Sequence, residues 1–324
     1  MKPLFKILLI VLALLGISSI GGYFYVRYKF QPPANQLVVT SLPAACSFTW
    51  KADTMAHPAV AHAALLVPVR LAGCARTCYL QFDTGAPYSL LYAKPLAALR
   101  VAYPAMQRTL LPQHDTIQNF SFNLGSGRVQ AGRLPVLRYG ASQLPADNSP
   151  FIIGTLGADV LANQVLVLDY PRRRFTLLPR VPDSLARQAA FVPLDFANRR
   201  VILRAALQGQ AHQFLFDSGS SAFSLLTSQS TWQDLGRQAA IPQINGVNSW
   251  GKTLVAHTLP SDATLQFAGS SVPLRTVTYM EGTSLLQQAL MRFSGMNGML
   301  GNEPFRHHTI ILDVQAGRFG LVPH

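Results

Sequence analysis

The chain has 324 residues, 49% of them hydrophobic, with 27 basic against 14 acidic side chains and a formal charge of +13. That length and apolar content exclude a disordered chain and allow one large or two ordinary domains around a sizeable core. The positive charge is mostly Arg scattered along the sequence, with Arg172-Arg173-Arg174 its one run, so no nucleic-acid partner is expected.

Residues 1–6 are short and basic, and residues 7–26 form a charge-free, largely apolar run of about twenty residues, the length that spans a bilayer. Lys2 and Lys6 precede it and Arg27 and Lys29 follow it, while Tyr23, Phe24, Tyr25 and Tyr28 suit a membrane interface. No A-x-A cleavage site lies near Ser19-Ile20-Gly21, which favours an uncleaved anchor over a removed signal peptide. Residues 1–30 are therefore expected to be a transmembrane helix that holds the remainder outside the cytoplasm, on a periplasmic or extracellular face. The alternative is secretion after cleavage. Residues 31–57, with Pro32, Pro33 and Pro43, read as a tether rather than core.

A strand is expected over 64–71, turned by Gly73. Cys74 and Cys78 flank Ala75-Arg76-Thr77 at the hairpin tip, so a bridge across the tip and free thiols are both open, with Cys46 left over. Three cysteines are too few for a disulfide scaffold and wrongly spaced for a four-ligand zinc site. Cys78-Tyr79-Leu80-Gln81-Phe82-Asp83-Thr84-Gly85-Ala86 then reads as a buried strand that ends on a carboxylate in a tight turn. A strand over 88–92, a helix over 94–101 beginning near Pro95, and strands over 120–124 and 134–138 follow. The glycines between the last two are no phosphate loop, because no Lys-Ser/Thr follows them.

Residues 182–190 suit a short linking helix capped by Asp183 or Ser184, and strands are expected over 191–196 and 201–207. The earlier pattern then returns in Gln213-Phe214-Leu215-Phe216-Asp217-Ser218-Gly219-Ser220. Helical composition covers 228–238 and 283–292, and 245–252 reads as a loop or hairpin tip. A second block also repeats. Gly154-Thr155-Leu156-Gly157, Val165-Leu166-Val167-Leu168-Asp169 and Arg174-Phe175-Thr176-Leu177-Leu178-Pro179 match Gly298-Met299-Leu300-Gly301, Thr309-Ile310-Ile311-Leu312-Asp313 and Arg318-Phe319-Gly320-Leu321-Val322-Pro323, at a constant offset (298 − 154 = 144; 323 − 179 = 144). Asp83 and Asp217 are offset by 217 − 83 = 134, so the second unit carries 144 − 134 = 10 extra residues between its Asp turn and its Leu-Gly block. This is an internal repeat. His307 and His308 are neighbours on an expected strand and point to opposite faces, so they do not read as a metal site.

Two Asp turns brought together would hold one proton between them, since both carboxylates cannot ionise at contact distance, and that supplies an acid and a base in one place. Asp83-Thr84-Gly85 and Asp217-Ser218-Gly219 resemble the paired Asp-Thr/Ser-Gly signatures of the bilobal aspartic proteases, the pepsin-like and retropepsin-like group, and the resemblance covers roughly residues 60–324. It implies an all-β, mainly antiparallel fold of two tandem homologous lobes, 58–180 and 181–324, with a cleft between them. It also implies an aspartic endopeptidase of a compact, membrane-anchored bacterial type, with Asp83 and Asp217 activating a water and Thr84, Gly85, Ser218, Gly219 and Ser220 supporting them. No cofactor and no metal are implied. The implied partner is a polypeptide substrate in extended conformation, taken by a single chain.

Two departures from the family pattern bear on chemistry. A hydroxyl follows the second glycine, at Ser220, but Ala86 follows the first, so Asp83 is expected to lack one donor, to keep the shared proton, and to extend activity to less acidic pH. The pepsin-like flap hairpin carries a Tyr, and neither matching region here, 107–118 or 125–132, contains one. That keeps an alternative open, a catalytically weak or inactive peptide-binding protein of the cell envelope.

Overall fold

The strand Cys78–Asp83 buries Cys78, Leu80 and Phe82 and leaves Tyr79 and Gln81 half-covered, the alternation of a pleated strand with one face on a core. The same logic shapes Gln210–Phe216, where Phe214 and Phe216 are buried and Leu215 is half-buried. Our computed structural model describes Gly22 and residues 31–249, 252–282 and 296–323. The apolar run 7–26, Gly22 apart, and the helix expected over 283–292 lie outside the described residues. Among the described residues no helix is long and apolar enough to cross a membrane.

The structure is mainly antiparallel β. One sheet orders its strands Leu37–Thr40, Gly127–Leu137, Leu90–Tyr92, Phe151–Gly157, Cys78–Asp83, Val60–Val69 and Thr49–Asp53, with Thr116–Leu124 paired to Gly127–Leu137. Each Asp strand has one parallel neighbour, and it is the strand of the Leu-Gly block. Asp83 stands opposite Gly157, and Phe216 stands opposite Leu300.

A larger sheet carries the second repeat and takes strands from the first. The hairpin Val165–Asp169 with Arg174–Leu178 pairs antiparallel with the hairpin His308–Asp313 with Arg318–Pro323. Val167 lies opposite Ile311, its own equivalent in the repeat (311 − 167 = 144). Residues from Asn35 onward form one compact unit, and one hydrophobic cluster runs through both repeats. In the second repeat the rings of Phe216, Phe267, Phe305 and Phe319 pack with centroids 5.4–5.9 Å apart. Such aromatic pairs add to what burial alone contributes.

Several expectations shift. The tether expected over 31–57 instead forms Leu37–Thr40, Ala44–Ser47 and Thr49–Asp53. These strands pair with Gly127–Leu137, Arg174–Leu178 and Val60–Val69, and they bury Ala44 and Phe48. Pro43 lies in the turn between the first two of these short strands, and Pro32 and Pro33 precede them. The linking helix is one turn, Asp183–Ala186, with Pro182 at its N-cap and no side-chain cap, so neither Asp183 nor Ser184 plays that part. The helices Ala93–Ala102 and Gln229–Leu235 lie where the sequence placed them, the second capped by Ser228 accepting from the Thr231 amide.

The stretch 245–252 is the end of a long hairpin, Gln243–Ser249 with Lys252–Pro260, and residues 250–251 lie outside the described ones. That hairpin is met by the tip of the Thr49–Val69 hairpin: the His57 amide donates to Asn245 Oδ1 at 3.1 Å and Gln243 Nε2 donates to the His57 carbonyl at 2.9 Å. Of the two regions expected as a flap, 107–118 follows the 3-10 turn Pro104–Met106 as a series of turns and runs into the strand Thr116–Leu124. The other is the tip of the hairpin Thr116–Leu124 with Gly127–Leu137, and it is docked on chain that precedes it. Ser126 Oγ donates to the Pro43 carbonyl at 2.7 Å, and Gly125, at φ +57°, lies against the Ala45 carbonyl. A side chain at 125 would meet both a left-handed backbone and that oxygen. We expect Gly125→Ala to lower unfolding stability by about 1–3 kcal/mol in urea denaturation; an unchanged midpoint would show that the tip is not held there.

Candidate active site

Both Asp turns are delivered by buried strands and stopped by glycine. Asp83 Oδ1 accepts from the amides of Gly85 at 2.9 Å and Ala86 at 3.2 Å. Asp217 Oδ1 accepts from the amide of Gly219 at 2.9 Å, and its Oδ2 accepts from Ser220 Oγ at 2.7 Å. The difference foreseen at Ala86 is thus a difference in hydrogen bonding. The second oxygen of Asp217 has a hydroxyl donor from its own turn, whereas Ala86 offers Asp83 only its amide.

The turns face each other. A Cβ placed on Gly85 would lie 2.5 Å from Asp217 Oδ1, and one on Gly219 would lie 2.5 Å from Asp83 Oδ1, so each carboxylate rests over the glycine of the opposite turn. Any side chain at either position would have to displace the opposite carboxylate. The turns are locked by an exchange of bonds: the Thr84 amide donates to Ser218 Oγ and the Ser218 amide to Thr84 Oγ1, both at 2.9 Å. Each hydroxyl then donates onward, Thr84 Oγ1 to the Phe216 carbonyl at 2.7 Å and Ser218 Oγ to the Phe82 carbonyl at 3.1 Å. All seven residues singled out in the sequence, Asp83, Thr84, Gly85, Asp217, Ser218, Gly219 and Ser220, therefore meet in one place.

Asp83 is buried, and its carboxyl is held well above the usual carboxylate range, by burial first and then by the Asp217 carboxylate beside it. The Gly85 and Ala86 amides work in the opposite direction without cancelling this. Among the described residues no three His, Cys, Asp or Glu side chains gather as metal ligands, and His308 is paired in a strand opposite Pro323.

Behind the turns lie the two Leu-Gly blocks, which the sequence marked as a repeat, and a layer of polar side chains next to them, which it did not. The Gly157 backbone passes so close to the loop after Asp83 that a Cβ would lie 2.5 Å from the Tyr88 carbonyl carbon, and Gly301 passes as tightly beneath the Ser220 and Phe223 carbonyls. Two residues beyond each glycine stands an acid. Asp159 accepts from the Ser89 amide at 2.8 Å and from Ser89 Oγ at 2.7 Å, while Ser89 Oγ accepts from the Gly157 amide at 2.9 Å. Glu303 accepts from Ser224 Oγ at 2.6 Å and pairs with Arg306 at 3.2 Å. The repeat offset links these acids (303 − 159 = 144), and that offset was the available signal for them. Burial holds the Asp159 carboxyl above its ordinary range, against the Ser89 donors and the charge of Arg199.

The second turn has one further support. Asn302 is fully buried; its Nδ2 donates to the Ser218 carbonyl at 3.1 Å and to Ser221 Oγ at 2.5 Å, and its Oδ1 accepts from Tyr170 OH at 2.7 Å. Tyr170 in turn stacks on Trp50, so the Asp217 turn is tied to residues of the first repeat.

No protein-family model and no curated protein sequence matches the chain. A similar solved structure is an aspartic proteinase from Irpex lacteus, 11% identical, covering 86% of this chain and 97% of that chain with a TM-score of 0.46. The likeness is too distant to assign a family or an activity, and the residues themselves carry the functional argument.

Proposed function

We propose that the chain is an aspartic endopeptidase that hydrolyses peptide bonds with a water activated between Asp83 and Asp217. The observation that carries this is the placing of two carboxylates over each other's glycines by the Thr84–Ser218 exchange. A scaffold has no use for a closely placed pair of like acids, one of them buried, whose repulsion costs stability unless one is neutral.

In this reading Asp83 keeps the shared proton and Asp217, supplied with a donor by Ser220, carries the charge. Water between them gives a proton to Asp217 as its oxygen attacks the peptide carbonyl, and Asp83 protonates the carbonyl oxygen. As the tetrahedral species collapses, the C–N bond breaks, the amine takes the proton from Asp217, and one hydroxyl of the species returns its proton to Asp83, which restores the dyad. No covalent enzyme intermediate is involved. One chain supplies both acids, so a monomer suffices. The apolar run 7–26 would hold this hydrolase at a membrane, facing out of the cytoplasm.

A second reading has its own observation. The first-repeat hairpin tip at Gly125–Ser126 is bonded to Pro43 and packed against Ala45, so the element expected as a mobile cover is occupied elsewhere. Poor water exclusion would leave a protein that binds extended peptides and cleaves them weakly.

Cleavage of an unfolded protein separates the two readings. Asp83→Asn and Asp217→Asn should each lower the rate by at least about a thousandfold, and the double variant should be little worse than either, because the acids act as one unit. Cleavage that survives both substitutions would remove the dyad, and peptide binding without cleavage by the parent would favour the second reading.

The pH profile follows from the donors. The alkaline limb reports loss of the proton that Asp83 holds, so its raised position extends activity above the ordinary carboxylate range. Ala86→Ser gives the Asp83 anion a new donor and should move the alkaline limb down by about one pH unit. A profile in this variant that coincides with the parent would remove the assignment of the proton to Asp83.

A further inference from the structure

The tip of the hairpin joining Val60–Val69 to Cys78–Asp83 holds two of the chain's three thiols. Val69 and Cys78 face each other at the last pair of the ladder, and the tip beyond is tightened by the Cys74 amide donating to the Leu71 carbonyl at 3.1 Å. Both sulfurs turn toward one acceptor: Cys74 Sγ lies 3.3 Å and Cys78 Sγ 4.0 Å from the Arg76 carbonyl. Cys74 is close enough to raise the Cys78 thiol beyond what burial alone does. Backbone and side-chain geometry therefore bring the sulfurs together before any bond joins them.

The tip is also anchored from outside. The Arg76 guanidinium donates to the carbonyls of Pro145, Asp147 and Ser149 at 3.0, 2.8 and 3.0 Å, fixing the turn against the chain that enters Phe151–Gly157. Cys78 is the first residue of the strand that ends on Asp83 and stands beside Phe151 in the parallel ladder. Cys78 is fully buried and Cys74 is half-buried, so an oxidant reaches Cys74 first.

We propose that Cys74 and Cys78 are a redox-modified pair that a disulfide donor joins into a staple across the hairpin tip, with Cys46 left as a thiol. The inference does not depend on the hydrolase reading. Cys74 sulfur, as thiolate, attacks the external disulfide and releases one donor thiol; Cys78 sulfur then displaces the second from the mixed disulfide. The protein pair loses two electrons and two protons, and the donor disulfide leaves as two thiols. A loop this short removes little freedom from the unfolded chain, so the staple acts locally, on the start of the Asp83 strand.

Cys46 lies in Ala44–Ser47, buried opposite Phe175, and burial pushes its thiol up to about 12, which leaves it almost wholly protonated and unreactive in the folded chain. Cys78 is likewise pushed up to about 12, by burial and then by Cys74, so its step relies on the neighbouring sulfur rather than on free thiolate.

The test is to equilibrate the full chain with oxidised or reduced glutathione, unfold it, alkylate, and locate the label by peptide mass. Oxidation should leave one alkylated cysteine, Cys46, and a linked Cys74–Cys78 peptide lighter by two hydrogens; Cys74→Ser should restore labelling of Cys78. Three labelled cysteines after oxidation, a glutathione adduct retained on Cys74, or a bond that includes Cys46 would each overturn the proposal.

Discussion

Two hydroxyls and two amides, exchanged between Thr84 and Ser218, are what the site depends on. Each hydroxyl accepts from the opposite turn's amide and donates to the carbonyl before the opposite Asp, so its donor and one acceptor position are used. Such a network is stable only when complete, because a buried amide or carbonyl without a partner costs about 1–3 kcal/mol. Neither turn can move without stranding groups on the other. That rigidity holds Asp83 and Asp217 together against their repulsion, and it is why burial and a neighbouring acid together raise the Asp83 carboxyl.

Much of this was legible in the sequence, because strand, carboxylate, hydroxyl and glycine recur in order and the Leu-Gly block returns at a constant offset. Ala86 against Ser220 was visible as a missing donor, and the structure shows that bond on Asp217 alone. What stayed hidden was long-range. Leu37–Thr40 is too short and too flanked by proline to read as a strand, and it becomes one because Gly127–Leu137 offers an edge some ninety residues later (Leu37 opposite Ala131). Asn302 gave no local sign, since its role arises only where Ser218, Ser221 and Tyr170 converge. Asp159 and Glu303 were within reach, as the same offset relates them.

The hairpins divide the labour of covering and bracing differently in the two repeats. In the first, the tip at Gly125–Ser126 is committed to Pro43 and Ala45. In the second, Gln243–Pro260 reaches out and is gripped at Gln243 and Asn245 by the His57 backbone. The segment that the sequence offered as a linker is thus the partner on which the first hairpin rests, and the following hairpin tip is the partner of the second.

Val167 pairing with Ile311, its own counterpart, places a pseudo-two-fold axis through the closing hairpins, and the reciprocal Thr84–Ser218 bonds obey the same rotation. A true homodimer would have to make both sides of such an axis identical, and its two acids would be interchangeable. Joining the halves in one chain lifts that requirement. Ala86 and Ser220 occupy corresponding places yet differ, and so do Asp159 and Glu303. Symmetry builds the platform, and covalent linkage permits its small violations, which distinguish one acid from the other.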